Sequence, residues 1–183
     1  VYAFVPAGRL SVQVMKAFVD LGLDKAGIKL IGSGNITNDE ELANMGDVTL
    51  GTFTSYHYSM AGERAPNRAF QARFAKEYGD KAIANFTTVT AWDAMDAIYA
   101  AICAQAGRLD PERTVELLRH YKTADSPRGP IWIDPETRDI VQNEYLREVR
   151  RVGGQLANVE LETFAAAVKD PWKELQKSQP QKK

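Results

Sequence analysis

The N-terminal part of the chain alternates between short apolar runs and loops of small residues. Residues 1–5 form an apolar run typical of a buried strand, and a Pro-Ala-Gly loop follows it. Apolar side chains then recur at helical spacing up to Gly22, and residues 28–31 form a second strand-like run. This order predicts a βαβ unit, whose right-handed crossover makes its two strands parallel. The predicted fold class is therefore α/β.

Both loops of this unit leave the carboxyl ends of parallel strands. Open α/β sheets bind ligands at that edge, and small residues there let a ligand approach backbone N–H groups. The candidate binding residues in the two loops are Pro6, Ala7, Gly8, Ser33, Gly34 and Asn35.

A third strand is predicted over residues 47–55, and it ends in the aromatic cluster Tyr56, His57 and Tyr58. Aromatic rings supply apolar walls with polar edges, so His57 and Tyr58 join the candidate ligand-binding residues. The alternative interpretation is that the glycines only form turns and that the aromatic rings cover a core.

Helices are predicted over residues 37–45, 67–78 and 87–105, with Thr37 and Asn67 as candidate N-caps of the first two, and a further helix begins after Asp110. The second and third of these helices follow each other without an intervening strand, which breaks the βα alternation. The pattern therefore indicates that the chain leaves the first sheet after residue 56.

The last third of the chain predicts β-structure. Residues 129–133 form a short strand, and residues 141–152 and 156–164 form a hairpin around a Gly-Gly turn. Residues 173–183 are polar and are expected to form a frayed tail.

The composition excludes several classes of function. The 23 Lys and Arg residues against 24 Asp and Glu residues give a formal charge of -1, which predicts no general attraction to nucleic acid. No apolar run approaches the about 18 residues of a membrane span. Cys103 lies in a predicted helix, as a small buried hydrophobic residue, and His57 and His120 belong to no metal motif. Gly32 and Gly34 lack the third glycine of a dinucleotide fingerprint, so we expect no enzyme, metal or cofactor.

The order of these segments resembles the C-terminal half of the type I periplasmic solute-binding proteins of ABC transporters, in the branch that includes the leucine/isoleucine/valine-binding proteins. The stretches that carry the resemblance are VYAFVPAG, GLDKAGIKLIGSG, GTFTSYHYS, PNRAFQARFAKEYG, VTAWDAMDAIYAAI and GPIWIDPETRD. The resemblance implies two Rossmann-like α/β lobes joined by hinge strands, with a small-molecule solute trapped between them. It also implies a periplasmic location and a membrane permease as the partner, with the signal peptide and first half of the fold absent from this sequence.

The resemblance implies a division of the chain between the lobes. Residues 1–56 and 142–164 would belong to lobe two, and residues 57–141 would contribute helices and a strand to lobe one. Residues 165–183 would form a C-terminal helix or tail. Lobe-one helices without their own sheet would expose apolar surface, so we expect instability or oligomerisation.

The resemblance also implies which side chains face the cleft. The position after the first strand falls on Pro6 or Ala7, and a position before the long helix falls on Phe86 or Thr87. Tyr58 would lie at the hinge, with its ring facing the solute and its hydroxyl free to bind it.

Amino-acid binders of this family place an acidic residue after the second strand to hold the ligand ammonium, and this sequence has Gly34 there. A buried ammonium without a counter-charge costs several kcal/mol, unless Asp39 or another acid substitutes. The motifs GSGNIT and YHYS are closer to members that take up aromatic carboxylates. The expected solute is therefore an aromatic carboxylate. The alternatives are a branched-chain or other amino acid, the ligand-sensing domain of a receptor or regulator, and an open α/β enzyme.

Overall fold

The computed structural model describes residues 1–164 and 171–178. Within these ranges the chain forms a five-stranded sheet, a three-stranded sheet and α-helices packed beside them. None of the helices in these ranges has the length and apolar character needed to cross a bilayer.

The predicted βαβ unit is confirmed. It consists of β1 (Tyr2–Ala3), α1 (Arg9–Asp20) and β2 (Ile31–Ser33), and the two strands pair in parallel. The prediction that the first run is buried is wrong, because Tyr2 and Phe4 are 65% and 68% exposed. The reason is that β1 is an edge strand, paired only with β2.

The helix predicted over residues 37–45 is wrong in its first half. Gly34–Thr37 forms a 3₁₀ turn, and only α2 (Leu42–Met45) is α-helical. The Thr37 hydroxyl does not cap a helix; it is buried and donates a hydrogen bond to Asn158 Oδ1 at 2.8 Å. A tertiary hydrogen bond has therefore replaced the local cap that the sequence predicted.

The third strand is shorter than predicted. Gly46–Thr49 forms a second 3₁₀ turn, and β3 is Phe53–Tyr56. It pairs in parallel with β2, with Ser33 and Ser55 as register partners. Three parallel strands therefore end together at one edge of the sheet.

Three helices follow, as the sequence predicted: α3 (Ala65–Tyr78), α4 (Phe86–Ala104) and α5 (Pro111–Arg119). The side chain of Asn85 caps α4, and that of Asp110 caps α5. Carboxylate and amide oxygens at these positions satisfy N–H groups that the helix itself leaves free.

The smaller sheet contains three antiparallel strands, β4 (Lys122–Thr123), β5 (Ile131–Ile133) and β6 (Ile140–Val141). Only β5 corresponds to a strand predicted from the sequence. Strands of two residues are too short to show an alternating pattern.

The predicted hairpin is confirmed as β7 (Glu144–Val152) and β8 (Gln155–Phe164). Gly153 and Gly154 both have positive φ, 56° and 84°, as a two-residue turn of this type requires. Because β7 pairs antiparallel with β3, the hairpin completes the five-stranded sheet. Part of the expected polar tail lies in α6 (Pro171–Ser178), and residues 179–183 lie outside the described residues.

Two apolar clusters hold these layers together. The first packs α1 and α2 on one face of the larger sheet, and the second joins the loop after β3 to α3 and α4. The buried members are Met15, Leu30, Ile36, Leu42, Met45 and Val149 in the first cluster and Tyr58, Phe70, Ala84 and Val89 in the second.

Apolar side chains on α4 remain uncovered. Trp92, Met95 and Tyr99 are 37%, 42% and 59% exposed, and they line a groove of about 720 Å³ between α3 and α4. Cys103, predicted to be buried in this helix, is also exposed. A helix that is apolar on most sides is normally buried against other structure.

We therefore expect this chain to self-associate through the exposed surface of α4. The double substitution Met95→Glu and Tyr99→Glu should shift sedimentation velocity profiles toward the monomer, because it places charge on that surface. The matched control is Leu10→Glu, on an exposed apolar position of α1, which should leave the profile unchanged. A wild-type chain that stays monomeric at high concentration would contradict this expectation.

Candidate functional site

The loops that follow β2 and β3 meet the start of α4. The ring centres of Tyr56 and His57 are 4.5 Å apart, and the ring centre of Phe86 lies 5.2 Å from that of Tyr56 and 6.1 Å from that of His57. The Tyr56 hydroxyl donates to Asn35 Oδ1 at 2.8 Å. Burial raises the pKa of Tyr56 to about 12, so this phenol is neutral. We name Tyr56, His57 and Phe86 the aromatic corner.

Gly34 packs directly against this corner. A Cβ atom at position 34 would lie 2.2 Å from Tyr56 Cγ and 2.5 Å from Arg147 Nη2. Such distances are far below van der Waals contact, so a larger side chain here would displace the ring or the guanidinium. An acidic side chain therefore has no space at this position.

Arg147, on β7, is the largest fully buried side chain of the described residues, and its role was not predicted from the sequence. Its Nη1 donates to the Tyr58 carbonyl at 2.7 Å, its Nε to Thr54 Oγ1 at 3.2 Å, and its Nη2 to the Gly34 carbonyl at 3.4 Å. The guanidinium also lies 5.0 Å from the centre of the Tyr56 ring. One strand thus holds the ends of β2 and β3 in place.

No carboxylate in the described part of the chain forms a salt bridge with Arg147. Burial lowers the pKa of Arg147, and the charge of Asp39 opposes this shift. Asp39 itself accepts a hydrogen bond from Asn158 Nδ2 at 2.8 Å, and burial raises its pKa. Asp39 is therefore engaged by Asn158 and lies within the field of Arg147.

A second buried cation, Arg128, lies in the loop before β5. Its Nε donates to Asp93 Oδ2 at 2.7 Å and its Nη1 to Gln142 Oε1 at 2.7 Å, while the Ser126 hydroxyl donates to Asp93 at 3.0 Å. The Arg128 carbonyl accepts a hydrogen bond from the Tyr145 hydroxyl at 2.6 Å. Arg128 therefore connects α4, the smaller sheet and the start of β7.

His57 is influenced by both arginines. Burial, and then the charges of Arg128 and Arg147, lower the pKa of His57 to about 4. The imidazole is therefore neutral at pH 7. Its Nε2 atom is buried and has no hydrogen-bond partner among the described residues, and the same holds for Ser33 Oγ. Because buried polar atoms in native proteins almost always have partners, two such atoms near one sheet edge indicate a site for a ligand or water.

Tyr58 does not face a solute. Its side chain is fully buried, and its hydroxyl donates to Asn67 Oδ1 at 2.9 Å and accepts from Gln71 Nε2. Burial raises the pKa of Tyr58 strongly. The expectation of a free hydroxyl is therefore wrong, because two polar side chains of α3 satisfy it. Asn67, predicted as a helix cap, instead lies inside the first turn of α3 and fixes this loop.

The other predicted residues lie apart from the aromatic corner. Gly8, with φ of 97°, precedes α1, and its carbonyl accepts a hydrogen bond from the Ser11 hydroxyl. No side-chain hydrogen bond or ring contact in the described ranges connects Pro6, Ala7, Gly8 or Thr87 to the corner. The structure thus brings Gly34, Asn35, His57 and Phe86 together, and it leaves the first loop and Thr87 outside.

The described residues contain no arrangement typical of an active site. No group of three His, Cys, Asp or Glu side chains there is placed to hold a metal ion. His120 lies at the end of α5, with its Nε2 atom 2.9 Å from Glu116 Oε1. The aromatic corner therefore offers ring surfaces and neutral hydrogen-bonding groups, which are suited to binding.

Comparison with known proteins gives one family match. Residues 1–155 match the family described as periplasmic binding protein. A curated relative from Brucella melitensis, named Leu/Ile/Val-binding protein homolog 6, is 40% identical over 165 residues, which are 90% of this chain and 42% of the relative. The chain thus spans about two fifths of the length of the curated relatives that it matches.

Two solved structures are similar at comparable identity. A solute binding protein of an ABC transporter from Rhodopseudomonas palustris BisB5, in complex with 3,4-dihydroxy benzoic acid, is 44% identical, with a TM-score of 0.85, and the match covers 94% of this chain and 46% of that one. A second, from R. palustris HaA2 in complex with p-hydroxybenzoic acid, is 40% identical, with a TM-score of 0.83 over 90% of this chain and 45% of that one.

The depressed pKa of His57 predicts a pH dependence of stability. The unfolded chain takes up a proton near pH 6.5 and the folded chain only near pH 4, so the free energy of unfolding should fall as the pH drops through this interval. The loss due to His57 is at most about 3 kcal/mol, at about 1.4 kcal/mol per pH unit. The free energy of unfolding, measured by urea denaturation at several pH values in this interval, should depend less on pH in His57→Gln than in His120→Gln. An equal pH dependence in the two variants would contradict the assignment.

The close packing of Gly34 predicts that Gly34→Ala lowers the free energy of unfolding by about 1–3 kcal/mol, because the new methyl group forces Tyr56 or Arg147 to move. The neighbouring control, Ser33→Ala, removes a hydroxyl without a partner and should leave stability unchanged or slightly higher. Both variants can be measured by urea denaturation at pH 7. If Gly34→Ala is as stable as the wild type, the prediction is wrong and the backbone at position 34 has freedom to adjust.

Proposed function

The chain belongs to the type I periplasmic binding protein family, and from that premise we propose that it forms part of an extracytoplasmic solute receptor of an ABC importer that binds an aromatic carboxylate. The family and the two similar solved structures are solute-binding proteins. One observation carries the proposal: the aromatic corner combines a buried, partnerless imidazole nitrogen with two buried arginines. The proposed location is the periplasm, and the proposed partners are the solute and a membrane permease.

The proposed solute cleft lies between two lobes. We assign residues 1–56 and 142–164 to one lobe and residues 57–141 to the other. Of residues 165–183, expected to form a C-terminal helix or tail, only α6 lies within the described residues. The separation of the strands into two sheets supports this division, since each sheet falls in one lobe. The aromatic corner lies where the chain passes between them, because Tyr56 ends β3 and Phe86 begins α4.

Further contacts at this junction join the two proposed lobes. Both terminal nitrogens of Arg64 donate to the carboxylate of Glu160 on β8, and its Nε donates to the Pro127 carbonyl at 3.1 Å. The Arg64 guanidinium also lies 4.5 Å from the centre of the Tyr145 ring. These contacts support a defined hinge beside the proposed cleft.

An aromatic solute suits the surfaces of the corner. The rings of Tyr56, His57 and Phe86 pack against one another at tilted and perpendicular angles. The planar ring of a solute can add one more contact of this kind. One aromatic contact of this kind contributes about 0.5–1.5 kcal/mol beyond the burial of apolar area. Gly34 and Asn35 keep the neighbouring loop free of bulky side chains.

The charges near the corner favour an anion. Asp93 neutralises Arg128, whereas no carboxylate in the described ranges forms a salt bridge with Arg147. In addition to burial, the charges of Arg128 and Arg147 lower the pKa of His57, so both arginines make the field at the imidazole more positive. The solutes named for the two similar structures, both benzoic acids with ring hydroxyls, support this assignment.

The second candidate is a branched-chain amino acid, which the name of the curated relative favours. Its ammonium would need a carboxylate beside His57, where the charges that lower the pKa of the imidazole are those of Arg128 and Arg147. Position 34 has no space for one, and Asp39 is hydrogen-bonded to Asn158. An unpaired buried ammonium would cost about 2–5 kcal/mol, so the amino acid is the less suitable solute.

Isothermal titration calorimetry of the full-length gene product tests the proposal. Benzoate and 4-hydroxybenzoate should bind, and leucine should bind at least about 30-fold more weakly than the better of the two. Phe86→Leu, which removes the ring but keeps apolar volume, should weaken aromatic binding about two- to tenfold. Tyr78→Leu, which removes an exposed ring at the end of α3, is the control and should not change affinity. Tight binding of leucine without any response to the aromatic acids would overturn the proposal.

A further inference from the structure

The proposed function leaves one atom of the aromatic corner without a role. The Nε2 atom of His57 is buried, and no group in the described ranges donates to it or accepts from it. An imidazole nitrogen without a partner is costly in a folded protein, because it has lost water without gaining another hydrogen bond. A ligand that reaches this atom would therefore recover a hydrogen bond.

Most guanidinium nitrogens of the arginines beside His57 donate to the protein itself. Each of the three guanidinium nitrogens of Arg147 donates to Thr54, Tyr58 or Gly34. The Nε and Nη1 atoms of Arg128 donate to Asp93 and Gln142. Their charges bias the corner toward an anionic molecule, but their hydrogen bonds hold the backbone and α4.

The group of the solute that contacts His57 directly should therefore be neutral. Arg147 faces the imidazole from β7 and Arg128 faces it from the loop before β5, and both oppose its protonation. The rings of Tyr56 and Phe86 lie against it from β3 and α4. The neutral imidazole has one N–H group and one lone pair.

A hydroxyl group matches this nitrogen in either tautomer. No hydrogen bond within the described ranges fixes which nitrogen of His57 carries the proton. A hydroxyl can accept from Nε2–H or donate to the Nε2 lone pair, whereas a carboxylate can only accept. The carboxylate also requires several donors, and the neutral imidazole offers it one at most.

We infer that His57 Nε2 binds a hydroxyl group on the ring of the solute, so that the protein selects hydroxylated benzoates over benzoate. This inference rests on the proposed function. It orients the solute, with its hydroxylated edge toward the aromatic corner and its carboxylate directed away from His57.

Calorimetry with benzoate and 4-hydroxybenzoate on the full-length gene product tests the inference. The wild-type protein should bind 4-hydroxybenzoate about tenfold more tightly than benzoate, as expected for one net hydrogen bond. His57→Phe keeps a ring against Tyr56 and Phe86 but removes the nitrogen. It should abolish the preference, so that the two acids then bind with affinities within about twofold of each other. The control His120→Phe alters the other, exposed histidine and should keep the preference.

The outcomes separate the inference from the proposed function. If both acids bind the wild type equally well, or if His57→Phe retains the preference, the inference is overturned and the receptor function stands. If neither aromatic acid binds the wild type, the proposed function itself fails and the inference fails with it.

A measurement on the unmodified protein covers the case in which His57→Phe does not fold. The ¹⁵N-labelled imidazole signals of His57 and His120 in the full-length gene product can be assigned by correlating each ring with its own backbone amide. Adding 4-hydroxybenzoate should shift the Nε2 signal of His57 well beyond the shift caused by benzoate, and it should leave His120 unchanged. Equal shifts with both acids, or no shift at all, would overturn the inference.

Discussion

The buried guanidinium of Arg147 is the interaction on which the geometry of this sheet edge depends. Transfer of a cation from water into a protein interior is unfavourable unless hydrogen bonds compensate it. Arg147 meets this requirement with the carbonyl of Gly34 at the end of β2, Thr54 on β3 and the carbonyl of Tyr58 in the next loop. Because Arg147 is on β7, the strand that returns last to the sheet fixes the loops formed by the first strands.

The buried guanidinium of Arg147 also affects the chemistry of the aromatic corner. Arg147 and Tyr56 together occupy the space beside Gly34, which explains why position 34 accommodates no acid. The same charge, added to burial and to that of Arg128, keeps His57 neutral. One buried cation therefore determines both the absence of a counter-charge for an ammonium and the protonation state of the imidazole that a solute would meet.

The two sheets give this corner its position. Arg64 joins the loop after β3 to β8 and to the loop before β5, and Tyr145 binds the Arg128 carbonyl at the start of β7. The aromatic corner lies beside this junction. The exposed apolar side chains of α4 that line an open groove beside α3 are Trp92, Met95 and Tyr99.

The sequence by itself determined the βαβ unit, the consecutive helices and the terminal hairpin, because periodicity, helix caps and glycine turns are local signals. It also located the two loops from which Gly34, Asn35 and His57 come. It failed where tertiary hydrogen bonds engage side chains that were expected to do something else: Thr37 was expected to cap a helix and Tyr58 to face a solute. The alternation of β7 puts Arg147 on the same face as Tyr145 and Val149, but it does not show which groups a buried guanidinium would bind. Arg147 follows Gly34 by 113 positions in the sequence, and only the tertiary structure brings the two within hydrogen-bonding distance. The reason is that burial and pairing depend on which strands become neighbours.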